Sequence, residues 1–428
     1  MARYTEMTPD ELAHERSIVA DEYEEILARG LSLDMARGKP SAKQLDLSTP
    51  LLTELASASD CFSEDGTDCR NYGVIDGIPE AKRLMASLLD DEPETVIVFG
   101  NSTLTVMYDT IQRCMTYGCL GSAPWSTLDT IKFLCPVPGY DRHFAILEQF
   151  GIEMIPIPLL ETGPDMDEVE RIVADDASVK GIWCVPQYSN PSGITYADET
   201  VRRLAQMSCA ASDFRIFWDN AYCVHDLYAD PAMQDRVLDI GIACTEFETP
   251  NRYFKFASTS KITFPGAGIA AMAASRANIE EAKKLISAQM IGSDKLNQLR
   301  HARFLPDEEA IAQHMQKHAD IIRPKFELVE QMLEEGLGEA SIATWTKPHG
   351  GYFISFDGLP NTAKRTVELA RNAGVKLTGS GATWPYGNDP LDANIRIAPT
   401  MPPIEELAEA LDVFVCCAKL AALEALER

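Results

Sequence analysis

The sequence is short of the residues that build several common kinds of site. Its seven histidines are dispersed. Its eleven cysteines include no CxxC pair, so no metal centre is expected. Basic residues are outnumbered, 38 Lys and Arg against 65 Asp and Glu, and the formal net charge is -27. A nucleic-acid binder needs basic patches to displace phosphate counterions, so that class is set aside. No apolar run reaches membrane length, and the acidic, amphipathic start is unlike an apolar leader, so a soluble cytoplasmic protein is expected. Scattered thiols suit a reducing compartment. Cys61 and Cys69 are close enough in sequence to approach one another, and Cys416 and Cys417, adjacent on an apolar helix, read as buried thiols. There is no internal repeat and no low-complexity linker. The acidity gathers in helix-like segments such as 21–25 and 165–170, where a solvated face is its meaning.

What is present is an ordinary globular composition, 46% hydrophobic and 24% charged, in 428 residues. That length supports two or three domains with sizeable cores. Residues 1–30 read as a polar helical arm starting at Thr8-Pro9-Asp10-Glu11, and 31–47, with MARGKPS, as a loop. From residue 95 a rhythm begins. Short apolar runs at 96–99, 133–136, 152–157, 181–185, 215–218, 252–257 and 269–273 alternate for the most part with helical patterns. Buried strands alternating with helices predict a mostly parallel seven-stranded sheet covered on both faces, an α/β fold. A long helical pattern at 307–337 follows, with Pro324 expected to kink or break it. Strands at 351–356, 375–378 and 394–398, with helices at 362–372 and 404–426, then predict a smaller α+β C-terminal domain. The expected division is 1–59 as an arm completing the small domain, 60–300 as the large domain, and 301–428 as the small one.

The chain is organised around 253–271, YFKFASTSKITFPGAGIAA, and within it Lys261. An amine placed between two buried strands loses hydration, which lowers its pKa and frees it as a nucleophile toward a carbonyl. The plain alternative is a lysine on a polar turn. Four further marks fall on strand ends, where open α/β sheets bind ligands. Gly100-Asn101-Ser102-Thr103 joins a strand to a helix, as an N-cap or an anion cradle. Tyr140 can stack on a flat ring or simply pack. Asn190, in Ser189-Asn190-Pro191-Ser192-Gly193, lies in a turn composition. Asp219, in Trp218-Asp219-Asn220-Ala221-Tyr222, ends an apolar run, and a carboxylate buried there needs a cation or a donor, unless it caps the next segment.

In this order and spacing the set resembles the fold-type-I pyridoxal-phosphate aminotransferases, most specifically at NPSG, DNAY and SxSK. Within them, LDMARGKPS, YGVIDGIPEAK, TSKITFPGAG and DKLNQLRH are similar to the type Ic aspartate aminotransferases, a branch related to the aminotransferase-like domain of MocR-type regulators. The resemblance implies pyridoxal 5'-phosphate as cofactor. It implies Lys261 as the Schiff-base and proton-carrying amine, and Asp219 as partner of the pyridine nitrogen. Tyr222 and Asn190 would bond the ring oxygen and Tyr140 would stack on the ring. Asn101, Ser102, Thr103, Ser258 and Ser260 would hold the phosphate region. Tyr72 would reach the phosphate of a partner subunit, which implies a homodimer with shared sites. Arg396, in NIRIAP, would clamp the substrate α-carboxylate, with Asn190 beside it, and Gly38 would let the backbone approach.

One departure stands out. Most relatives carry a phosphate-binding arginine seven or eight residues beyond the lysine, where this chain has Gly268 and Ile269. Lys295, from the same subunit or across the dimer, is the expected substitute, and Arg37 the candidate for a distal carboxylate. The expected activity is aspartate:2-oxoglutarate aminotransfer between a small amino acid and a 2-oxo acid. The alternatives are other donors (aromatic, alanine or kynurenine) or a C–S lyase on the same fold. A MocR-like cofactor-sensing regulator would need a basic DNA-binding domain ahead of MARGKPS, where only a short acidic arm stands.

Overall fold

The structure is a computed structural model and describes residues 3–427. The expected N-terminal arm therefore starts with two residues outside the described ones, and the expected small domain ends with one. In chain order the first strands are β1 (Leu33–Asp34), β2 (Val96–Phe99), β3 (Lys132–Val137) and β4 (Glu153–Leu160). Next come β5 (Gly163–Pro164), β6 (Val179–Cys184), β7 (Arg215–Asp219), β8 (Tyr253–Ser258) and β9 (Ala270–Ala274). Last are β10 (Ala343–Trp345), β11 (Ile354–Gly358), β12 (Val375–Lys376) and β13 (Asn394–Ile397).

The large sheet has the order β2-β9-β8-β7-β6-β3-β4-β5. It contains the seven expected strands, with ends that differ by a few residues, and adds the two-residue β5 at one edge. Strands β4, β3, β6, β7 and β8 pair in parallel, while β9 runs against both β8 and β2. Their composition explains the burial. In β7, Ile216 and Trp218 face one hydrophobic layer and Phe217 the other. A strand covered on both faces has to be apolar throughout, which is why these strands read as unbroken runs rather than alternations. Because β2 and β8 are both antiparallel to β9, the C-terminal ends of β2, β3, β6, β7 and β8 all open on one edge.

The second layer system joins both ends of the chain. Helix Pro9–Ala28 starts at a capping box in which Thr8 and Glu11 satisfy each other's backbone N–H groups. It buries Leu12, Val19, Tyr23 and Ile26 in the same apolar cluster as helix Ile404–Leu426, and the Tyr23 hydroxyl donates to the Leu369 carbonyl at 2.9 Å. Strands β10, β11 and β13 form an antiparallel sheet, and β1 pairs in parallel with β12.

Three local expectations are corrected. Helix Glu308–Leu337 runs unbroken through Pro324. Its buried stripe continues on both sides of the proline, at Ile322, Phe326, Val329 and Leu333, and that packing outweighs the lost backbone hydrogen bond. The segment 31–47 is not all loop, since it contains β1 and a short helix, Ala42–Asp46. Strand β10 was not expected, because its three residues are half exposed and carry no apolar run. No helix among the described residues is long and apolar enough to cross a membrane.

Candidate active site

A cavity of about 230 Å³ opens at the shared strand edge. Each strand end delivers one part of its wall. After β2, Ser102 caps helix Thr103–Tyr117, accepting from the Thr105 N–H at 3.4 Å, and Ser102 and Thr103 face the cavity. After β3, the loop carries Tyr140 into helix Asp141–Gln149. After β6 the turn brings Asn190, β7 ends on Asp219 with Tyr222 close behind, and β8 runs into Ser258, Ser260 and Lys261. Gly38 and Phe353 close it from the other layer. Larger clefts, of about 680, 560 and 520 Å³, lie elsewhere, and the one lysine among their lining residues, Lys347, is exposed.

Lys261 sits in a tightly tied turn. Thr259 bonds Ile269 in both directions through backbone and hydroxyl, and its carbonyl accepts from the N–H groups of Ile262 and Thr263. The Lys261 carbonyl meets the His225 ring at 3.4 Å and accepts from the Tyr352 hydroxyl at 3.5 Å. Its ammonium lies 4.6 Å from the centre of the Tyr222 ring and 6.0 Å from that of Tyr352. Burial pushes the amine's pKa below the ordinary lysine value, and the negative charge of Asp219 opposes part of that shift. A lysine so placed exchanges its proton more readily than one in water.

Asp219 is buried, and its Oδ2 is 3.0 Å from His143 Nε2. His143 is held flat against Trp183, with ring centres 4.3 Å apart and planes at 12°. The other oxygen, Oδ1, is buried with no hydrogen-bond partner among the described residues. A buried carboxylate oxygen left unmatched is costly, so Oδ1 suits a donor delivered by a ligand. Burial raises the Tyr140 phenol to about 12 and lifts that of Tyr222 well above its ordinary value, so both remain neutral donors.

Arg396 stands on β13 opposite Ser355. Its guanidinium lies 4.8 Å over the Phe353 ring, and Nη1 donates to Asn190 Oδ1 and Asp141 Oδ1, both at 3.2 Å. Its Nε is buried and unpartnered among the described residues. That leaves a fork oriented on one side and free on the other, as a carboxylate ligand requires.

These groups fit the cofactor that the sequence suggests. Asp219 Oδ1 could accept from a ring N–H. The hydroxyls of Ser102, Thr103, Ser258 and Ser260, with a helix N-terminus, form a cradle for a phosphate. Lys261 is the only cation among the residues lining the cavity.

Most sequence candidates converge here: Gly38, Ser102, Thr103, Tyr140, Asn190, Asp219, Tyr222, Ser258, Ser260 and Lys261 line the cavity, and Arg396 bonds Asn190 at its margin. Others stand elsewhere. The Asn101 side chain donates to the Pro265 carbonyl at 3.0 Å, so it ties the glycine-rich turn instead of facing the cradle. Tyr72 is 84% exposed, and Arg37 is exposed with no ion-pair partner among the described residues. Lys295 does not line the cavity of its own chain. Its buried ammonium donates to the carbonyls of Asn71 and Gly73, at 2.6 and 2.9 Å, and so clamps the Tyr72 loop. Gly268, where an arginine was looked for, is packed so closely that a Cβ would come within 2.8 Å of the Thr259 hydroxyl. Gly38 also has a packing reason, since a Cβ there would come 2.1 Å from the Phe353 ring. His143, Asp141, Tyr352 and Phe353 were missed. His143 carried one signal, three residues beyond Tyr140 on the same helix start, but its partner is 76 residues away.

The aspartate amino-transferase family model matches residues 7–428. A Mycolicibacterium smegmatis protein, provisionally named an aminotransferase, is 49% identical over 419 residues, spanning 97% of each chain. An aspartate aminotransferase of Corynebacterium glutamicum is 45% identical over 404 residues, covering 94% of this chain and 92% of the relative. Among solved structures, a crystal structure of an aspartate transaminase from Corynebacterium glutamicum superposes with a TM-score of 0.96 at 42% identity, covering 99% of each chain. An α-aminoadipate aminotransferase of Thermus thermophilus, at 17% identity and a TM-score of 0.73 over 94% of this chain and 95% of its own, shares the fold. With its eight-stranded sheet, its desolvated lysine and its unmatched carboxylate at one sheet edge, the chain belongs to the aspartate amino-transferase family, the pyridoxal-phosphate-dependent aminotransferases of fold type I.

Proposed function

We propose that this chain transfers the amino group of aspartate to 2-oxoglutarate, with pyridoxal 5'-phosphate held in the Lys261 cavity. One observation carries the reading: Lys261 and Asp219, whose Oδ1 has no partner among the described residues, line the same narrow space with Tyr140 and Tyr222. The choice of aspartate is supported by the names of the relatives that match nearly the whole chain.

When bound, the cofactor supplies an aldehyde that takes up the amino group and a ring that draws electron density from the substrate α-carbon. The protein does the rest. Lys261, its ammonium destabilised by burial, would hold the cofactor when no substrate is present and would move a proton at the substrate α-carbon. Asp219 holds a proton on the ring nitrogen through Oδ1, while His143 fixes Oδ2. The Tyr222 phenol and the Asn190 amide donate to the ring oxygen, and Tyr140 excludes water from one ring face. Ser102, Thr103, Ser258 and Ser260 hold the phosphate. Arg396 orients the α-carboxylate, and Arg37 reaches the distal carboxylate. Tyr72, exposed on its Lys295-clamped loop, completes the phosphate site of a second copy in a homodimer.

The test is steady-state turnover with a panel of amino donors, together with the absorbance of the cofactor-loaded protein. Aspartate should lead the panel, and Lys261→Ala should abolish both turnover and the pH-dependent visible band. Arg37→Ala should lower kcat/KM for aspartate and leave alanine unchanged; an equal loss for both donors rejects that role. Full turnover by Lys261→Ala would refute the whole reading.

A further inference from the structure

A second reactive group lies outside the site, and the mechanism uses none of it. Cys114 is in the last turn of helix Thr103–Tyr117, and Gly118 (φ +76°) ends that helix by donating its N–H to the Cys114 carbonyl at 3.0 Å. The chain then reverses through Leu120 (φ +49°) and Gly121 (φ +83°), with the Cys119 N–H donating to the Ser122 hydroxyl at 2.8 Å. The reversal brings the sulfurs of Cys114 and Cys119 to 3.2 Å, in hydrogen-bond contact. A disulfide needs a separation of about 2.05 Å, so closure takes a movement of roughly 1.2 Å, within reach of small side-chain rotations.

The surroundings favour a thiolate. Arg215 acts on both thiols and Arg113 on Cys114. Both guanidinium groups are buried, and each keeps one nitrogen, Arg215 Nε and Arg113 Nη1, without a partner among the described residues. The opposing carboxylates are already engaged. Asp213 binds Lys180 at 2.7 Å and the Trp125 indole at 2.9 Å, Glu281 accepts from the Leu120 N–H at 2.9 Å, and Asp109 accepts from the Gln289 amide at 2.8 Å. The contact between the two sulfurs and the charge of Arg215 hold the Cys119 thiol below its ordinary pKa against the opposing effect of burial, while the same contact and burial push Cys114 up. Access exists on one side only: Cys119 borders a surface cavity of about 560 Å³, together with Ser122, Asp213, Arg215 and Arg252.

We propose that Cys114 and Cys119 form a reversible oxidation site that reacts with small-molecule disulfides. The Cys119 thiolate attacks one sulfur of the disulfide RSSR, forming Cys119–S–SR and releasing RS⁻, which takes up a proton as RSH. Cys114 then gives up its proton, its sulfur displaces the second RS⁻, and the Cys114–Cys119 bond closes. Two protein thiols are oxidised, one RSSR is reduced to two RSH, and the electrons balance. The bond ties the last turn of the helix whose first turn carries Ser102 and Thr103.

Trypsin cuts after Arg113 and after Lys132, so both cysteines fall on one peptide, 114–132. The reduced, cofactor-loaded enzyme is treated with oxidised glutathione, denatured, alkylated and digested. The expected peptide is lighter by two hydrogen atoms, resists alkylation, and returns to the dithiol on reduction. Cys114→Ser should trap Cys119 as a glutathione adduct, while Cys119→Ser should leave Cys114 unmodified. If the wild-type peptide stays fully alkylated under conditions that modify the half-buried Cys61 and Cys209, the site does not exist; that comparison decides the matter even if a variant fails to fold.

Discussion

Replacing His143 with phenylalanine isolates one hydrogen bond. The new ring keeps the flat contact with Trp183, at 4.3 Å and 12°, but it has no nitrogen to offer the Asp219 oxygen 3.0 Å away. Both side chains are almost fully buried, 2% and 3% exposed, so water does not replace the lost donor. Asp219 Oδ1 has no partner already, so the variant leaves a buried carboxylate with neither oxygen matched by the protein. A hydrogen bond to a charged group contributes about 1.5–3 kcal/mol, roughly a tenfold to hundredfold effect. The loss should fall on the grip of Asp219 on the cofactor ring nitrogen. Cofactor affinity by absorbance titration, and kcat/KM for aspartate, should therefore drop by that factor. A merely structural histidine would lower Tm and leave both constants alone. Values within twofold of wild type in His143→Phe would show that His143 does not support Asp219.

Other expectations follow from the same geometry. In the cofactor-free chain, acylation of Lys261 should titrate below the ordinary lysine pKa, and Asp219→Asn should move the midpoint lower still, because it removes the charge that favours the ammonium; an upward shift refutes this. Burial lowers His225, His301 and His318 to about 3, 4 and 4. The unfolded chain therefore binds protons first as pH drops below about 6.5, and stability present above that pH is lost progressively toward pH 4. Tm should fall between roughly pH 7 and 4.5, less steeply in His318→Gln, and a flat profile would contradict it. Gly38→Ala drives a methyl to 2.1 Å from the buried Phe353 ring, on which Arg396 rests. Overpacking costs about 1–3 kcal/mol, so Tm should drop and KM should rise for donor and acceptor alike, and an unchanged KM removes Phe353 as the support of Arg396.

The large sheet was legible because parallel strands buried on both faces are written as continuous apolar runs, and Val96–Phe99 and Arg215–Asp219 need no distant information to be seen. Lys261, Asp219 and Asn190 were legible for a related reason. Asp219 ends such a run and Lys261 and Asn190 lie in the turns just after one, where local composition already marks a polar residue as unusual. The contacts of Lys295 were not legible, because an isolated lysine carries no sign of which carbonyls will receive it, and those of Asn71 and Gly73 lie more than two hundred residues back.

The amino-acid order by itself therefore determined where strands and helices form and which strand ends carry chemistry, because hydrophobic period, capping and turn preference act over a few residues. Only the folded chain decided which of those ends meet. The order β2-β9-β8-β7-β6-β3 puts Ser102, Tyr140, Asn190, Asp219 and Lys261 around one cavity, and packing across the layers adds His143, Phe353 and Arg396. That convergence depends on burial and hydrogen-bond matching between groups far apart in the chain, for which a local stretch of sequence has no record.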